Sequence, residues 1–214
     1  MAVKEKNKEM ALEEFQERQR EAYAMLRTNL MGQHPEATCI TFLSTKEEEG
    51  RSQVTYGLAE ALADCGKTVV LVDGDLRKAG LTEEIKTTLG KDFSVKKYWN
   101  DCLTDVASLE GALCKLEEGI DFLPAKEAPA EAGKSMAKGK YADLFQQLKE
   151  KYDYVLVDTP AFSKATDALQ YSMEADGLVV VTQQGIAKQK ELQDMAVILK
   201  QNQIAVLGTV WKEA

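Results

Sequence analysis

The chain alternates short, mostly apolar runs with longer charged segments that are rich in helix-forming residues. Apolar runs of this length are typical of strands in a parallel sheet that is covered by helices on both faces. We predict such strands at residues 39–43, 68–72, 120–124, 154–157, 177–182 and 204–210.

The charged segments predict helices. Residues 8–30 contain no Gly or Pro, and their apolar side chains recur at roughly helical spacing, which indicates a long amphipathic helix. Further helices are predicted at residues 53–65, 106–116, 141–151 and 188–201. Residues 125–139 are rich in Ala, Gly, Pro and Lys and are predicted to form a loop. The order of elements between residues 78 and 119 stays open.

Strands that alternate with helices predict a doubly wound, mostly parallel α/β sheet. In such a sheet the ligand site lies at the carboxyl ends of the strands. We divide the chain into a helical extension at residues 1–34 and one α/β domain at residues 35–214, because 214 residues with 44% hydrophobic content suffice for one substantial core.

The net charge and the cysteine positions exclude several classes of partner and binding site. The formal net charge of -8 disfavours nucleic acid as a partner, because phosphate would be repelled. The four cysteines lack metal-binding spacing, and His34 is the only histidine, so neither a zinc site nor a disulfide framework is indicated. No apolar run approaches the ~20 residues that span a bilayer. We therefore expect a soluble, cytoplasmic protein that reaches a membrane only through a partner.

Residues 44–53 read STKEEEGRSQ and lie between the first predicted strand and the following helix, where a phosphate-binding loop is expected. The loop pattern G-x-x-x-x-G-K-[ST] uses glycines to bring backbone N–H groups around phosphate oxygens, a lysine to neutralise them and a hydroxyl for Mg²⁺. Only Gly50 and Ser52 keep these roles. Arg51 replaces the lysine, and three consecutive glutamates line the loop.

Three aspartates follow predicted strands: Asp73, Asp75 and Asp158. Their strand ends should meet the loop at one edge of the sheet, where carboxylates can hold Mg²⁺ or accept a proton in phosphoryl transfer. Singly, each is also an ordinary residue of a turn or helix cap. Together with the loop, they favour descent from a nucleotide-binding site.

At these motifs the chain resembles the bacterial tyrosine kinases that control capsule and exopolysaccharide synthesis. Residues 44–53 look like their Walker A loop, residues 69–77 like their second acidic motif and residues 152–160 like Walker B. Residues 21–29 resemble the helix that precedes their first strand. The similarity runs from about residue 21 to the C-terminus and is weakest at residues 78–119. Partition and septum-site ATPases share the core.

The resemblance implies a P-loop NTPase fold that binds Mg-ATP or Mg-ADP, pairs with a transmembrane polysaccharide co-polymerase adaptor and phosphorylates its own tyrosine-rich tail. It implies catalytic roles for Arg51, Asp73, Asp75 and Asp158. It implies nucleotide contacts from Gly50, Arg51, Ser52, Gln53 and Arg77. It implies Mg²⁺ ligation by Ser52, Asp75 and Asp158.

Two departures affect the phosphate grip. Arg51 occupies the lysine position, and its longer planar fork does not replace a compact ammonium. Glu48 occupies a glycine position, where it adds a Cβ and a negative charge beside the polyphosphate. The alternative interpretation is a solvated acidic loop that swings away from the ligand, since exposed charges are strongly screened.

Other departures affect the base, the tail and assembly. Lys212 stands where the family has an asparagine that reads adenine. The last tyrosine is Tyr171, so we expect that the family's tyrosine-rich tail is absent. The assembly pattern E-x-x-R-x-x-R reads Glu21, Ala24, Arg27. Its middle arginine is lost, although Glu21 and Arg27 could still pair with a neighbouring copy in a homo-oligomer.

Two functions remain open. The first is a pseudokinase that binds nucleotide weakly or not at all and docks to a membrane adaptor or an active kinase paralogue. The second is an active ATP-dependent protein-tyrosine kinase that uses Arg51 in place of the lysine. Combined loss of glycine, lysine, asparagine and tail favours the first, because phosphoryl transfer depends on these parts acting together.

Overall fold

The computed structural model describes residues 2–90, 93–102, 106–128, 140–163 and 167–213. Within these ranges one sheet of seven strands forms the centre of the molecule, in the order β3-β4-β2-β5-β1-β6-β7. The strands are β1 (Cys39–Leu43), β2 (Val69–Asp73), β3 (Cys114–Glu117), β4 (Ile120–Leu123), β5 (Tyr154–Asp158), β6 (Gly177–Gln183) and β7 (Val206–Lys212).

Every neighbouring pair is parallel except β3 and β4, which form an antiparallel hairpin at one edge. The helices of the described ranges are α1 (Ala2–Gln33), α2 (Arg51–Ala63), α3 (Gly80–Leu89), α4 (Lys140–Lys149), α5 (Asp167–Glu174) and α6 (Gln189–Gln201). Short 3₁₀ turns lie at Glu47–Glu49, Trp99–Asp101 and Val106–Ala112. The predicted mostly parallel α/β architecture with a leading helix is confirmed.

The core lies on both faces of the central strands. All five residues of β1, β2 and β5 are buried, and successive side chains alternate between two apolar clusters. Leu71 of β2 packs in the cluster that includes α2, while Val70 and Val72 pack in the cluster that includes α4. This double coverage explains why the strands read as continuous apolar runs.

Helix α1 docks on α2 through its C-terminal half. Leu30 is buried in the core, and Tyr23 lies so close to Gly57 that a Cβ there would stand 2.2 Å from its ring. Leu12 and Phe15 are more than half exposed, so between residues 12 and 30 the predicted apolar face is buried only toward the C-terminal end of the helix. No helix of the described ranges is long and apolar enough to cross a bilayer.

Several predicted elements differ from those observed. The helix expected at residues 106–116 is wrong, because a 3₁₀ turn is followed directly by strand β3. Helix α2 begins at Arg51, two residues before the predicted start, and helices α3 and α5 were not predicted. Residues 125–128 of the predicted loop contain no helix or strand, and the rest of it lies outside the described residues.

Candidate functional site

The loop at residues 44–53 lies between β1 and α2, at the carboxyl edge of the sheet. β5 lies between β1 and β2 in the sheet, and Asp73 and Asp158 occupy paired positions at the ends of β2 and β5. The sheet therefore brings the loop and these carboxylates together, as the strand pattern predicted. The site is built from the ends of three neighbouring strands.

Arg51, the first residue of α2, turns back into the protein. Its Nε donates to Asp158 Oδ1 at 2.6 Å, and one terminal nitrogen donates to Ser44 Oγ at 2.9 Å. The side chains of Arg51 and Asp158 are only 5% and 1% exposed. This is a buried charge-assisted pair, so the guanidinium is held beneath the loop.

Ser52 completes the arrangement around Asp158. Its hydroxyl donates to Asp158 Oδ2 at 2.6 Å, so both carboxylate oxygens of Asp158 accept hydrogen bonds from the start of α2. Arg51 and Ser52, both predicted to contact the nucleotide, are thereby linked through Asp158, a predicted Mg²⁺ ligand.

The three glutamates of the loop have three different environments. Glu47 forms an ion pair with Lys78, and Glu48 is exposed. Glu49 is fully buried and accepts four hydrogen bonds, from Thr45 Oγ1, Lys46 N, Thr182 Oγ1 and Gln183 N. The interpretation as a solvated acidic loop is therefore right for the exposure of Glu48 and wrong for Glu49.

Asp73 is completely buried at the end of β2. Its carboxylate accepts hydrogen bonds from the backbone and hydroxyl of Thr82 at 2.8 and 2.7 Å, and from the backbone of Asp75 at 3.1 Å. Burial raises the pKa of Asp73 to about 7, and the negative charge of Asp158 acts in the same direction. These contacts tie Asp73 to the first turn of α3.

Asp75 and Arg77 lie in the turn after β2. Burial raises the pKa of the Asp75 carboxyl. The backbone N–H of Arg77, which donates to Oδ1, and the charge of the Arg51 guanidinium lower this pKa and only partly offset the effect of burial. Asp75 is 6% exposed. Arg77 is half-buried beside it.

The opposite wall of the loop is formed by the end of β7. Gly50 adopts a left-handed conformation with φ of 73° and caps α2, a geometry that glycine accommodates without strain. The Nζ of Lys212 donates to Gln53 Oε1 at 2.9 Å. A Cβ on Gly50 would lie 1.8 Å from that nitrogen, so the ammonium lies directly above the glycine.

The donor set fits Mg²⁺ in kind, because Ser52, Asp75 and Asp158 offer the hard oxygen ligands that this ion prefers. The arrangement is not a preformed cluster, and no group of three metal-ligating side chains is found among the described residues. Asp158 already accepts from Arg51 and Ser52. Arg51 is poorly placed to neutralise a bound phosphate, because its side chain is directed into the protein and away from the loop's outer surface.

Four supporting residues were missed from the sequence: Ser44, Lys78, Thr82 and Thr182. Ser44 and Thr182 lie at strand ends and could have been suspected there, whereas Lys78 and Thr82 lie in the segment whose elements stayed unassigned. A cavity of about 250 Å³ also opens between α1, α2 and α3, with Ser52 and Gln53 at one end. It lies beside the loop, and neither Asp73 nor Asp158 is among the residues that line it.

Comparison with known proteins identifies relatives of this chain. The sequence model of the family described as "Cellulose biosynthesis protein BcsQ" matches residues 38–206. The "Tyrosine-protein kinase CpsD" of Streptococcus agalactiae is 25% identical over 191 residues, which cover 89% of this chain and 81% of the relative. The predicted resemblance to bacterial tyrosine kinases is confirmed.

Solved structures agree in fold. The kinase domain of the Escherichia coli tyrosine kinase ETK superposes with a TM-score of 0.81 at 20% identity, covering 91% of this chain and 75% of that one. The septum site-determining protein MinD of Pyrococcus horikoshii, complexed with Mg-ADP, has a TM-score of 0.66 at 27% identity, covering 81% and 69%. The predicted P-loop NTPase fold is confirmed.

Proposed function

This chain belongs to the family described as cellulose biosynthesis protein BcsQ, and from that premise we propose that it is a tyrosine-kinase-like regulator of capsular or exopolysaccharide synthesis. In this proposal the protein is a pseudokinase that binds nucleotide weakly or not at all. It acts from the cytoplasm by docking to a transmembrane polysaccharide co-polymerase adaptor or to an active kinase paralogue.

The observation that carries the proposal is the buried pair of Arg51 and Asp158. Opening a buried ion pair so that one partner is left alone costs about 3–5 kcal/mol. A nucleotide that recruited Arg51 to its phosphates would have to offset this cost and the loss of the bond to Ser44. The pair therefore competes directly with the ligand for the cation.

The retained residues indicate what Mg-ATP would meet if it were bound. Ser52, Asp75 and Asp158 would hold Mg²⁺, and the backbone from Gly50 to Gln53 would face the phosphates. The nucleotide would supply the transferable phosphoryl group. Asp73, buried and bonded to Thr82, would orient the metal side of the site from behind.

We divide the chain functionally as well. Residues 1–34 form the helical extension and residues 35–214 the kinase-like domain. Glu21 and Arg27 of the extension are proposed contacts in a homo-oligomer. One nitrogen of Arg27 donates to the carbonyl of Ala61 at the end of α2, so this arginine also anchors its own helix.

The alternative function is an active protein-tyrosine kinase, and the retained carboxylates favour it. Asp73, Asp75, Asp158 and Ser52 all lie at one sheet edge, which is the metal half of a phosphoryl-transfer site. In this alternative Arg51 leaves Asp158 and contacts the phosphates. The two functions differ in nucleotide affinity and in label transfer to tyrosine.

Thermal unfolding with Mg-ADP or Mg-ATP at 1 mM separates the two. Ligand at 100 times its dissociation constant would stabilise the fold by ~2.7 kcal/mol, which raises the midpoint by roughly 5–10 °C in a chain of this size. We expect a shift of about 1 °C or less. A shift of several degrees, with label transfer to a tyrosine peptide that Asp75→Asn abolishes, would establish the alternative.

A double variant tests whether the loop causes the defect. Glu48→Gly with Arg51→Lys restores the glycine and the compact ammonium, so we expect it to gain the missing ligand-induced shift. Arg20→Lys, at an arginine whose side chain is 78% exposed on α1, is the matched control and should gain nothing. If the double variant also fails to respond, the cause lies outside the loop.

A further inference from the structure

The side chain of Lys212 lies against the loop of residues 44–53. The last residue of β7, it pairs with Gln183 of β6, yet its side chain crosses to the loop between β1 and α2. Its ammonium is bonded to the side-chain oxygen of Gln53 and lies against the α-carbon of Gly50. A lysine ammonium has donors and no acceptor, so it cannot reproduce the paired donor and acceptor of an asparagine amide.

Three other cations in or beside the loop are bonded to carboxylates. Arg51 is bonded to Asp158, Lys46 to Glu191 and to the carbonyl of Ile186, and Lys78 to Glu47. Among the described residues, Lys212 forms no ion pair with a carboxylate, and its bonded partner there is the neutral amide of Gln53. Unlike Arg51, Lys46 and Lys78, Lys212 therefore has no carboxylate bonded to it among the described residues.

The surroundings of Lys212 make a nearby anion favourable. Burial lowers the pKa of Lys212, which means that its charged form is poorly solvated. The ammonium also stands beside the first turn of α2, where the partial positive charge of the helix repels a cation. A negatively charged ligand between them would relieve both effects, because it would attract the ammonium and the helix end together.

We propose that Lys212, and not Arg51, is the residue that contacts the phosphates of a ligand at the loop of residues 44–53. The ligand class is a polyphosphate that is recognised by its charged end and not by its base. This inference rests on the proposed function, in which Arg51 remains bound to Asp158. In this inference a single side chain on β7, that of Lys212, recognises the charged end of the ligand.

Gly50 takes part in this arrangement. Its left-handed backbone and missing side chain allow the ammonium to approach the loop, because a Cβ would leave only 1.8 Å to Nζ. Gly50 thus has two structural roles: it leaves room for the ammonium of Lys212, and it forms the turn into α2. Gly50→Ala should displace Lys212 from the loop and weaken polyphosphate binding in the same direction as a change of Lys212 itself.

Isothermal titration of the full chain with inorganic pyrophosphate, at about 20 mM salt and without Mg²⁺, tests the proposal. We expect weak binding by the wild type, at least fivefold weaker binding by Lys212→Met, and retained binding by Lys212→Arg. Lys190→Ala removes an exposed charge from α6 and should change the affinity less than twofold. Adenosine serves as the base-only probe and should give no response that depends on Lys212.

Three outcomes would overturn the inference: no pyrophosphate binding by the wild type at 10 mM, equal binding by wild type and Lys212→Met, or an adenosine response that Lys212→Met removes. Unliganded unfolding midpoints within about 2 °C of wild type establish that the variants are folded. The first outcome leaves the pseudokinase proposal intact. Tyrosine phosphorylation would instead refute the pseudokinase while leaving the pyrophosphate comparison to decide the role of Lys212.

Discussion

Glu49 acts as a clamp between the loop and the sheet. Its carboxylate joins Thr45 and Lys46 of the loop to Thr182 and Gln183 at the end of β6. The side chain of its neighbour Glu48 is exposed. Adjacent residues of one chemical type therefore have unrelated roles, because the 3₁₀ turn at Glu47–Glu49 directs one inward and the next outward.

We predict that Glu49→Ala destabilises the protein by about 3 kcal/mol, because it leaves several buried donors without an acceptor. The thermal midpoint should fall by roughly 6–12 °C. Glu48→Ala is the matched control and should stay within about 0.5 kcal/mol of wild type. Equal midpoints for the two variants would show that the clamp contributes nothing to stability.

Asp73 predicts a dependence of stability on pH. Burial raises its pKa to about 7 from an ordinary value of 3.8, so the folded protein retains a proton that the unfolded chain releases. The contribution of this group to the free energy of unfolding is greatest below pH 3.8, where Asp73 is protonated in both states. It is lost as the pH rises to 7. Between these values one such group lowers the free energy of unfolding by about 1.4 kcal/mol per pH unit.

Asp73→Asn removes this titration, so we expect a shallower decline of stability between pH 4.5 and 7 than in the wild type. Urea unfolding at half-unit pH steps measures the two slopes. Asp64→Asn, at an exposed aspartate after α2, is the control and should keep the wild-type slope. Parallel slopes for Asp73→Asn and wild type would assign the titration to another group.

At the scale of elements, the contact between α1 and α2 depends on Gly57. The ring of Tyr23 lies where a side chain at this helical position would stand. A glycine inside a helix normally costs about 0.5–1 kcal/mol relative to alanine. Here the close packing of the two helices accounts for the glycine.

Two glycine-to-alanine changes should therefore have opposite signs. Gly57→Ala is expected to destabilise by about 1–3 kcal/mol through overpacking against Tyr23. Gly32→Ala, in α1, places its new Cβ more than 4 Å from every atom outside the adjacent residues and the helix's own backbone, so it should stabilise by up to about 1 kcal/mol. Chemical denaturation of both variants measures the difference, and stabilisation by Gly57→Ala would exclude the packing explanation.

The strands of the sheet interior could be predicted because each is apolar on both faces. Cys39–Leu43 was predicted with its observed bounds, and Asp73 and Asp158 were placed correctly at the loop's edge. Edge strand β3 could not be predicted, because four residues with alternating exposure resemble a helical or loop segment equally well. Helix α3 follows Ala79, whose left-handed backbone gives no sequence signal at a non-glycine residue.

The sequence could place the candidate site residues at one edge of the sheet, but it could not predict the hydrogen bonds between them. The pattern placed Arg51, Ser52 and Asp158 together, but the inward turn of Arg51 depends on competition between Asp158, Ser44 and solvent. The approach of Lys212 to Gly50 depends on the pairing of β6 with β7, which joins residues far apart in the chain. Such contacts arise from tertiary packing, so local pattern does not encode them.

At the scale of the whole molecule, Arg27 joins α1 to α2 and is also the proposed assembly residue. Its bond to Ala61 is intramolecular. Loss of this charge-assisted bond predicts that Arg27→Ala destabilises each chain by about 1.5–3 kcal/mol. The effect should be independent of protein concentration, since no second copy takes part in the bond.

Unfolding midpoints at about 5 and 100 μM test this expectation together with the assembly proposal. If Arg27 only anchors its own helix, the loss in Arg27→Ala is the same at both concentrations and Glu21→Ala, at an exposed position, resembles wild type. If Glu21 and Arg27 pair between copies, the wild-type midpoint rises with concentration and both variants lose that rise. Sedimentation velocity of wild type and both variants then measures the mass of the assembly directly, which separates helix anchoring from self-association.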